Sequence, residues 1–173
     1  DESGLDGFDA VQLRKKLAGR AVEVSPWIGE LFEGFNGQAR PADLEVLLQL
    51  VNLYFTSPRR DEQAFQAYRQ RVLAAVANRQ ASPETVVQDR VEELCSQGHF
   101  RRRPWSAALV EEMRLDSALA VYQERFRDAG DFTFVFVGNL RPEELEPLAA
   151  SYLGTLPGTG RPESWRDPGI RPP

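Results

Sequence analysis

Gly130-Asp-Phe-Thr-Phe-Val-Phe-Val-Gly-Asn-Leu-Arg-Pro-Glu-Glu-Leu-Glu-Pro-Leu-Ala-Ala-Ser-Tyr-Leu-Gly-Thr-Leu-Pro157 sets a strand pattern directly before a helix pattern. From Phe132 to Val137 five of six residues are apolar, all are aromatic or β-branched, and glycines flank the block closely. This favours a buried, central strand over a helix. Leu145, Leu148, Ala149, Tyr152 and Leu153 then recur at helical spacing and predict one apolar face. Pro142 suits the start of that helix and Gly154 its end. Pro147 conflicts with this frame: in the second turn it removes a hydrogen bond and crowds the preceding turn, so the helix is expected to start later or to bend.

Working outward toward the N-terminus, Asp128-Ala-Gly-Asp131 reads as the turn into the strand. A helix before it, capped by Asp116, puts Leu119, Tyr122 and Phe126 on one side. Trp105–Met113 reads as a short helix or turn with Leu109 and Met113 inward, and His99–Pro104 as a basic loop. Ser82-Pro83 opens a further helix that Gly98 ends, with Val87, Val91, Leu94 and Cys95 as its buried side. Asp61 opens another, ending near Asn78, with Phe65, Tyr68, Val72, Ala75 and Val76 together. Pro41–Phe55 is apolar on two faces and is expected to be a mostly buried helix.

Residues Ala21–Ala39 alternate apolar with small or polar residues and predict two strands joined near Pro26–Gly29, with Pro26 at a strand end. Asp9 opens a helix through a capping-box pattern that runs to Gly19, with Val11, Leu13 and Leu17 on its apolar side. Beyond Pro157 three glycines and four prolines in sixteen residues suit an extended linker, residues 158–173. The opening Asp-Glu-Ser-Gly has neither methionine nor leader pattern, so the chain reads as a piece of a longer polypeptide.

At 173 residues and 42% hydrophobic content the chain suits one domain with a real core. A net charge of -5 argues against a general nucleic-acid binder. Val46–Phe55, the longest apolar block, is broken by Gln49 and Asn52 and falls well short of the roughly 20 residues needed to cross a bilayer, so no membrane span is expected. Lone Cys95 excludes an internal disulfide.

No catalytic, metal or cofactor-binding residue is expected in this chain. One histidine, His99, and one cysteine, Cys95, cannot form the usual three- or four-ligand zinc sets. His99 reads as a loop residue and Cys95 as a buried small hydrophobe. The pairs Glu92-Glu93, Glu111-Glu112 and Glu143-Glu144 are adjacent on helices, point about 100° apart and read as solvated faces. Arg101-Arg102-Arg103, beside Phe100 and Trp105, could hold a phosphate or an acidic partner, but the acidic chain favours a solvated loop or local ion pairs. Val137-Gly138-Asn139 lacks the glycine pattern and lysine of a phosphate cradle. Phe132, Phe134 and Phe136 read as core and not as a base-stacking platform, since Val135 and Val137 leave no evident solvent face.

Taken in order, several spaced segments resemble a repeat domain of the M16 (insulinase, or pitrilysin) family of zinc metallopeptidases. They are Phe132-Thr-Phe-Val-Phe-Val-Gly-Asn-Leu, Leu145-Glu-Pro-Leu and Tyr152-Leu-Gly-Thr-Leu-Pro157, with Tyr122-Gln-Glu-Arg-Phe126 before them. Leu17-Ala-Gly-Arg, Ser25-Pro-Trp-Ile-Gly, Glu33-Gly-Phe-Asn-Gly and Leu53-Tyr-Phe-Thr-Ser-Pro58 resemble the non-catalytic carboxyl-half repeats of bacterial long-form members.

The resemblance implies an α/β (α+β) fold, an antiparallel sheet backed by helices as in mitochondrial processing peptidase, over residues 1–157 and truncated at its N-terminus. Full-length members join such repeats into two halves around a peptide chamber, and one repeat carries His-x-x-Glu-His. That motif is absent here, and the helix matching Asp61–Gln80, which would bear the next metal ligand, has no carboxylate between Glu62 and Glu84. The implied role is a structural, chamber-forming domain of a bacterial zinc peptidase, with zinc held elsewhere in the parent. Its implied partners are the other repeats and peptide substrates, and its implied compartment is the periplasm in preference to the cytoplasm. The alternative is an inactive M16-like scaffold or interaction subunit. A sheet lacking its first strands also implies an exposed edge open to self-association.

Overall fold

The computed structural model describes residues 2–79, 81–160 and 164–171. In chain order the elements are α1 (Ala10–Lys16), β1 (Val22–Ile28), β2 (Glu33–Ala39), α2 (Leu44–Thr56), α3 (Glu62–Arg79), α4 (Pro83–Cys95), α5 (Ala107–Glu112), α6 (Leu115–Phe126) and α7 (Pro142–Tyr152). Single 3-10 turns precede α2, follow His99 and follow Asp128. The chain divides into two compact units, Asp1–Asp61 with Leu119–Ser164, and Glu62–Ala118 with Trp165–Pro173. The architecture is mixed: helices with an antiparallel hairpin.

In the first unit β1 and β2 pair antiparallel, from Val22 opposite Ala39 to Ile28 opposite Glu33. The turn is therefore Gly29–Phe32, later than the sequence pattern suggests. Pro26 lies inside β1 opposite Phe35, not at a strand end. In a two-stranded sheet each strand keeps a free edge, where a residue without an N–H is tolerated. Gly34 is needed where it stands: a Cβ there would come within 2.9 Å of the Trp27 ring across the hairpin.

The core of this unit is α2 against the hairpin. Leu47, Leu50, Val51, Tyr54 and Phe55 are buried together with Leu5, Val24 and Phe126. Each such side chain stabilises by about 1.5–3 kcal/mol relative to exposure. Phe35, Phe55, Phe126 and Phe132 form an aromatic cluster, with Phe35 to Phe126 at 4.8 Å and Phe55 to Phe132 at 5.0 Å between ring centroids. Offset and edge-on rings at such spacings attract beyond their buried area.

Phe132–Val137 corrects one expectation and meets another. The segment is extended and alternates, with Phe132, Phe134 and Phe136 turned into the core. Among the described residues, however, it belongs to no β-ladder, so it is not a central paired strand. Its other face is open, with Val135 77% and Val137 92% exposed. In α7 the half-buried residues are Leu145, Leu148, Ala149, Tyr152 and Leu153, the face given by spacing. That helix starts at Pro142 and continues through Pro147, so it does not start later. At its end Gly154 N–H donates to Ala149 O at 2.9 Å, and a Cβ at Gly154 would lie 2.7 Å from Ala150 O.

Two further boundaries differ from expectation. Asp9 caps α1 through a reciprocal capping box with Gln12, but the helix ends by Lys16 and Val11 is exposed. Asp116 sits inside the first turn of α6 and does not cap it, because α6 begins at Leu115.

In the second unit α3 turns Phe65, Arg69, Val72, Leu73, Val76 and Arg79 inward to half-burial, while Tyr68 and Ala75 are exposed. Arg69 Nε donates to Val110 O at 3.1 Å, tying α3 to α5. Val110 is the fully buried residue of α5, between the half-buried Leu109 and Met113. Ser82 caps α4 as expected, its hydroxyl accepting from Thr85 N–H at 3.3 Å. The packing of α4 is the reverse of expectation. Thr85, Asp89, Glu93 and Ser96 are its less exposed positions, and Asp89 pairs with Arg79 of α3. The apolar stripe Val87, Val91, Leu94 and Cys95 faces outward, with Val87 63% exposed. The polar side of α4 faces the neighbouring helix, where Asp89 meets Arg79.

Candidate functional site

The strongest polar constellations are two carboxylates that close loops in the first unit. Asp43 is buried and lies at the end of the 3-10 turn entering α2. It accepts from Arg40 Nη2 at 2.8 Å and Nε at 3.0 Å, from Ala21 N–H at 3.1 Å and from Arg20 Nη1 at 3.5 Å. The Arg40 hydrogen bonds first, then the Ala21 N–H, and the charges of both arginines hold its carboxyl below the ordinary value of 3.8. A carboxylate so occupied fastens β1 to α2 and is a poor base.

Asp128 is also buried, at 3% exposure. It accepts from Gly130 N–H at 3.0 Å and Thr159 N–H at 2.9 Å, and the Thr159 hydroxyl donates to its second oxygen. Its task is structural: it pins residue 159 beside the turn that leads into Phe132. The Asp-x-Gly turn pattern around Asp128 signalled the local bond. Nothing in the spacing pointed to Thr159, because the pairing spans 31 residues.

In the same unit Tyr54 is buried and Tyr122 half-buried. Tyr122 Oη donates to Tyr54 O at 2.8 Å. Burial first, and then the neighbouring Tyr122, push the Tyr54 phenol up to about 12; burial raises Tyr122 above its ordinary value of 10. Tyr152 joins α7 to α2 at the surface, accepting from Gln49 Nε2 at 3.0 Å and donating to Glu45 at 2.8 Å.

The residues considered for chemistry from the sequence are not brought together. His99 caps its 3-10 turn, Nδ1 accepting from Arg101 N–H at 3.3 Å, and its ring lies 4.8 Å from that of Phe100. Cys95 is exposed, which corrects its reading as a buried hydrophobe. Of the three arginines, Arg102 pairs with Glu92 at 3.5 Å and Arg103 with Glu112 at 3.4 Å, while Arg101 lies over the Phe100 ring. The acidic pairs divide accordingly: Glu92 and Glu112 serve these ion pairs, Glu93 pairs with Arg90, and Glu144 with Arg141.

Among the described residues no group of three or more His, Cys, Asp or Glu side chains could hold a metal ion. Zinc favours nitrogen and sulfur ligands, and the chain has one of each kind. No described helix is long and apolar enough to cross a membrane.

Comparison with known proteins gives this arrangement its context. The family model described as "Peptidase M16 inactive domain" matches residues 112–173. A zinc protease PQQL-like protein of Arabidopsis thaliana is 34% identical over 122 residues, 70% of this chain and 13% of that protein. A probable zinc protease PqqL of Haemophilus influenzae is 23% identical over 159 residues, 90% of this chain and 17% of that protein.

Among solved structures, the periplasmic protease PqqL from Escherichia coli superposes with a TM-score of 0.79 at 20% identity, over 99% of this chain and 19% of that one. The ferredoxin protease FusC, solved in complex with Arabidopsis ferredoxin, gives a TM-score of 0.77 at 16% identity, over 98% of this chain and 18% of that one. The chain thus spans less than a fifth of the length of each of these proteins. With its ordered segments, its fold and its match to the inactive-domain model in agreement, this chain belongs to the M16 peptidase family, as one of its non-catalytic domains.

Proposed function

We propose that this chain is a chamber-forming domain in the carboxyl half of a bacterial M16 zinc peptidase, which cleaves peptides at a zinc centre in another repeat of the same polypeptide. The match of residues 112–173 to the inactive-domain model carries this reading. It is supported by α3, whose run Gln63–Arg79 contains no carboxylate that could complete a metal site. The relatives named zinc proteases support zinc in the parent. FusC, held in its crystal structure with a ferredoxin, supports proteins or their unfolded segments as substrates. The periplasmic relative from Escherichia coli supports a periplasmic address for the parent.

On this reading the domain's residues build walls and enclose substrate, while a distant glutamate and zinc activate the attacking water. The test is metal content and peptide cleavage in the full parent polypeptide. Cys95→Ala and His99→Ala together are expected to leave both unchanged, whereas Glu→Gln in a His-x-x-Glu-His motif of another repeat abolishes cleavage. Loss of zinc on changing Cys95 and His99, or a parent with no such motif, contradicts the proposal.

A further inference from the structure

By composition the proline- and glycine-rich tail suits a spacer, yet Trp165–Pro173 falls in the second compact unit, with α3, α4 and α5. Asp167 closes a turn there: its carboxylate accepts from Gly169 N–H at 2.9 Å and from Arg171 Nη1 at 2.9 Å. The first of these bonds is the Asx-turn that an Asp-Pro-Gly sequence favours. Gly169 holds φ at +80°, a left-handed value that a β-branched residue enters only with strain. Pro168 and Ile170, on either side of it, are half-buried, whereas Trp165 and Arg166 before the turn are exposed. The turn meets His99: a Cβ on Gly169 would lie 3.5 Å from His99 Nε2. His99 Nδ1 accepts from Arg101 N–H, so in the neutral ring the proton sits on Nε2, on the side of the turn. Phe100 flanks the same ring at 4.8 Å.

We propose that Asp167–Arg171 is a strap folded onto the second unit, with His99 as the residue that positions it, and that the ordered domain therefore runs through Arg171. An extended spacer keeps its φ angles negative and leaves its side chains in water. This segment instead turns at a left-handed glycine and half-buries the residues on both sides of it. Each part has its own task. The Asp167 carboxylate shapes the turn, Pro168 and Ile170 supply its apolar hold, and the cap from Arg101 N–H to His99 fixes the ring against which Gly169 lies. The match to the inactive-domain model also runs to residue 173, so the tail carries the family's pattern together with the helices before it.

Trypsin cleavage of the Arg166–Asp167 bond in the intact chain, followed by mass spectrometry beside a peptide of residues 158–173, tests the strap. Circular dichroism shows that each variant is folded. A protease cuts an ordered segment only when it opens, so the bond is expected to be cut at least about tenfold more slowly in the chain than in the peptide. Gly169→Val cannot hold the left-handed turn and brings the two rates within about threefold. His99→Ala, which removes the ring beneath the turn, does the same. Gly169→Asn, a residue that tolerates this φ, keeps most of the protection. In the unchanged chain, nuclear Overhauser contacts are expected between the His99 ring and the Gly169 α-protons. Cleavage in the chain at the rate of the peptide overturns the proposal and leaves the segment a spacer. Protection that survives both Gly169→Val and His99→Ala overturns it as well, because the tail is then held by something other than this turn.

Discussion

The phenolic hydroxyl of Tyr122 donates to the backbone carbonyl of Tyr54 at 2.8 Å, tying α6 to the last turn of α2 across 68 residues of sequence. Both rings are packed into the core that also holds Phe126 and Phe55. Tyr122→Phe keeps the ring and deletes the donor, so a loss of about 1 kcal/mol is expected in urea unfolding. The two phenols also predict an alkaline limit. Their folded pKa values are raised, so stability is fully present below pH 10 and falls as the pH rises from 10 toward about 12. Tyrosinate absorbance followed together with far-ultraviolet circular dichroism checks this. Tyr54 and Tyr122 are expected to ionise only as the helices are lost.

Asp43 predicts the opposite limb. Its folded pKa is depressed, so its contribution to stability is present above 3.8 and is lost as the pH falls below that value. Asp43→Asn removes the charge that Arg40 and Arg20 bind, and its melting temperature should change less below pH 4 than that of the parent chain. An unchanged acid limb in the variant contradicts the assignment.

Pro147 lies within α7 and cannot donate to Glu143 O, which falls four residues earlier. Its side chain is exposed, so no packing is lost on replacement. Pro147→Ala is expected to raise stability by about 1–3 kcal/mol. Gly154→Ala, at the other end of the same helix, is expected to lower it by about 1–2 kcal/mol, because the new methyl meets Ala150 O. Thermal melts of the two variants should therefore move in opposite directions.

Periodicity made the interior of the first unit readable. The five inward positions of α7, the buried faces of α2, and Phe132, Phe134 and Phe136 follow from spacing, since each packs against a core within the same unit. Spacing names a face but not what covers it. In α4 it picked out Val87, Val91 and Leu94 correctly as a stripe, yet Asp89 faces Arg79 and the stripe faces out. The same limit applies to Phe132–Val137, where composition signals a strand but cannot supply the neighbour that makes a ladder. The buried carboxylates escaped notice for a related reason: Asp128 meets Thr159, and Asp43 meets Ala21, only after the chain has folded back.

The family assignment rests on spaced segments of the fold, whereas His99 caps its own 3-10 turn and Cys95 is exposed. The most direct test is to measure zinc in this chain, equilibrated with the metal and freed of excess, and to assay it for peptide cleavage. The account predicts zinc well below one equivalent per chain and no metal-dependent cleavage. One tightly held zinc per chain, together with cleavage that a chelator abolishes and zinc restores, would contradict it.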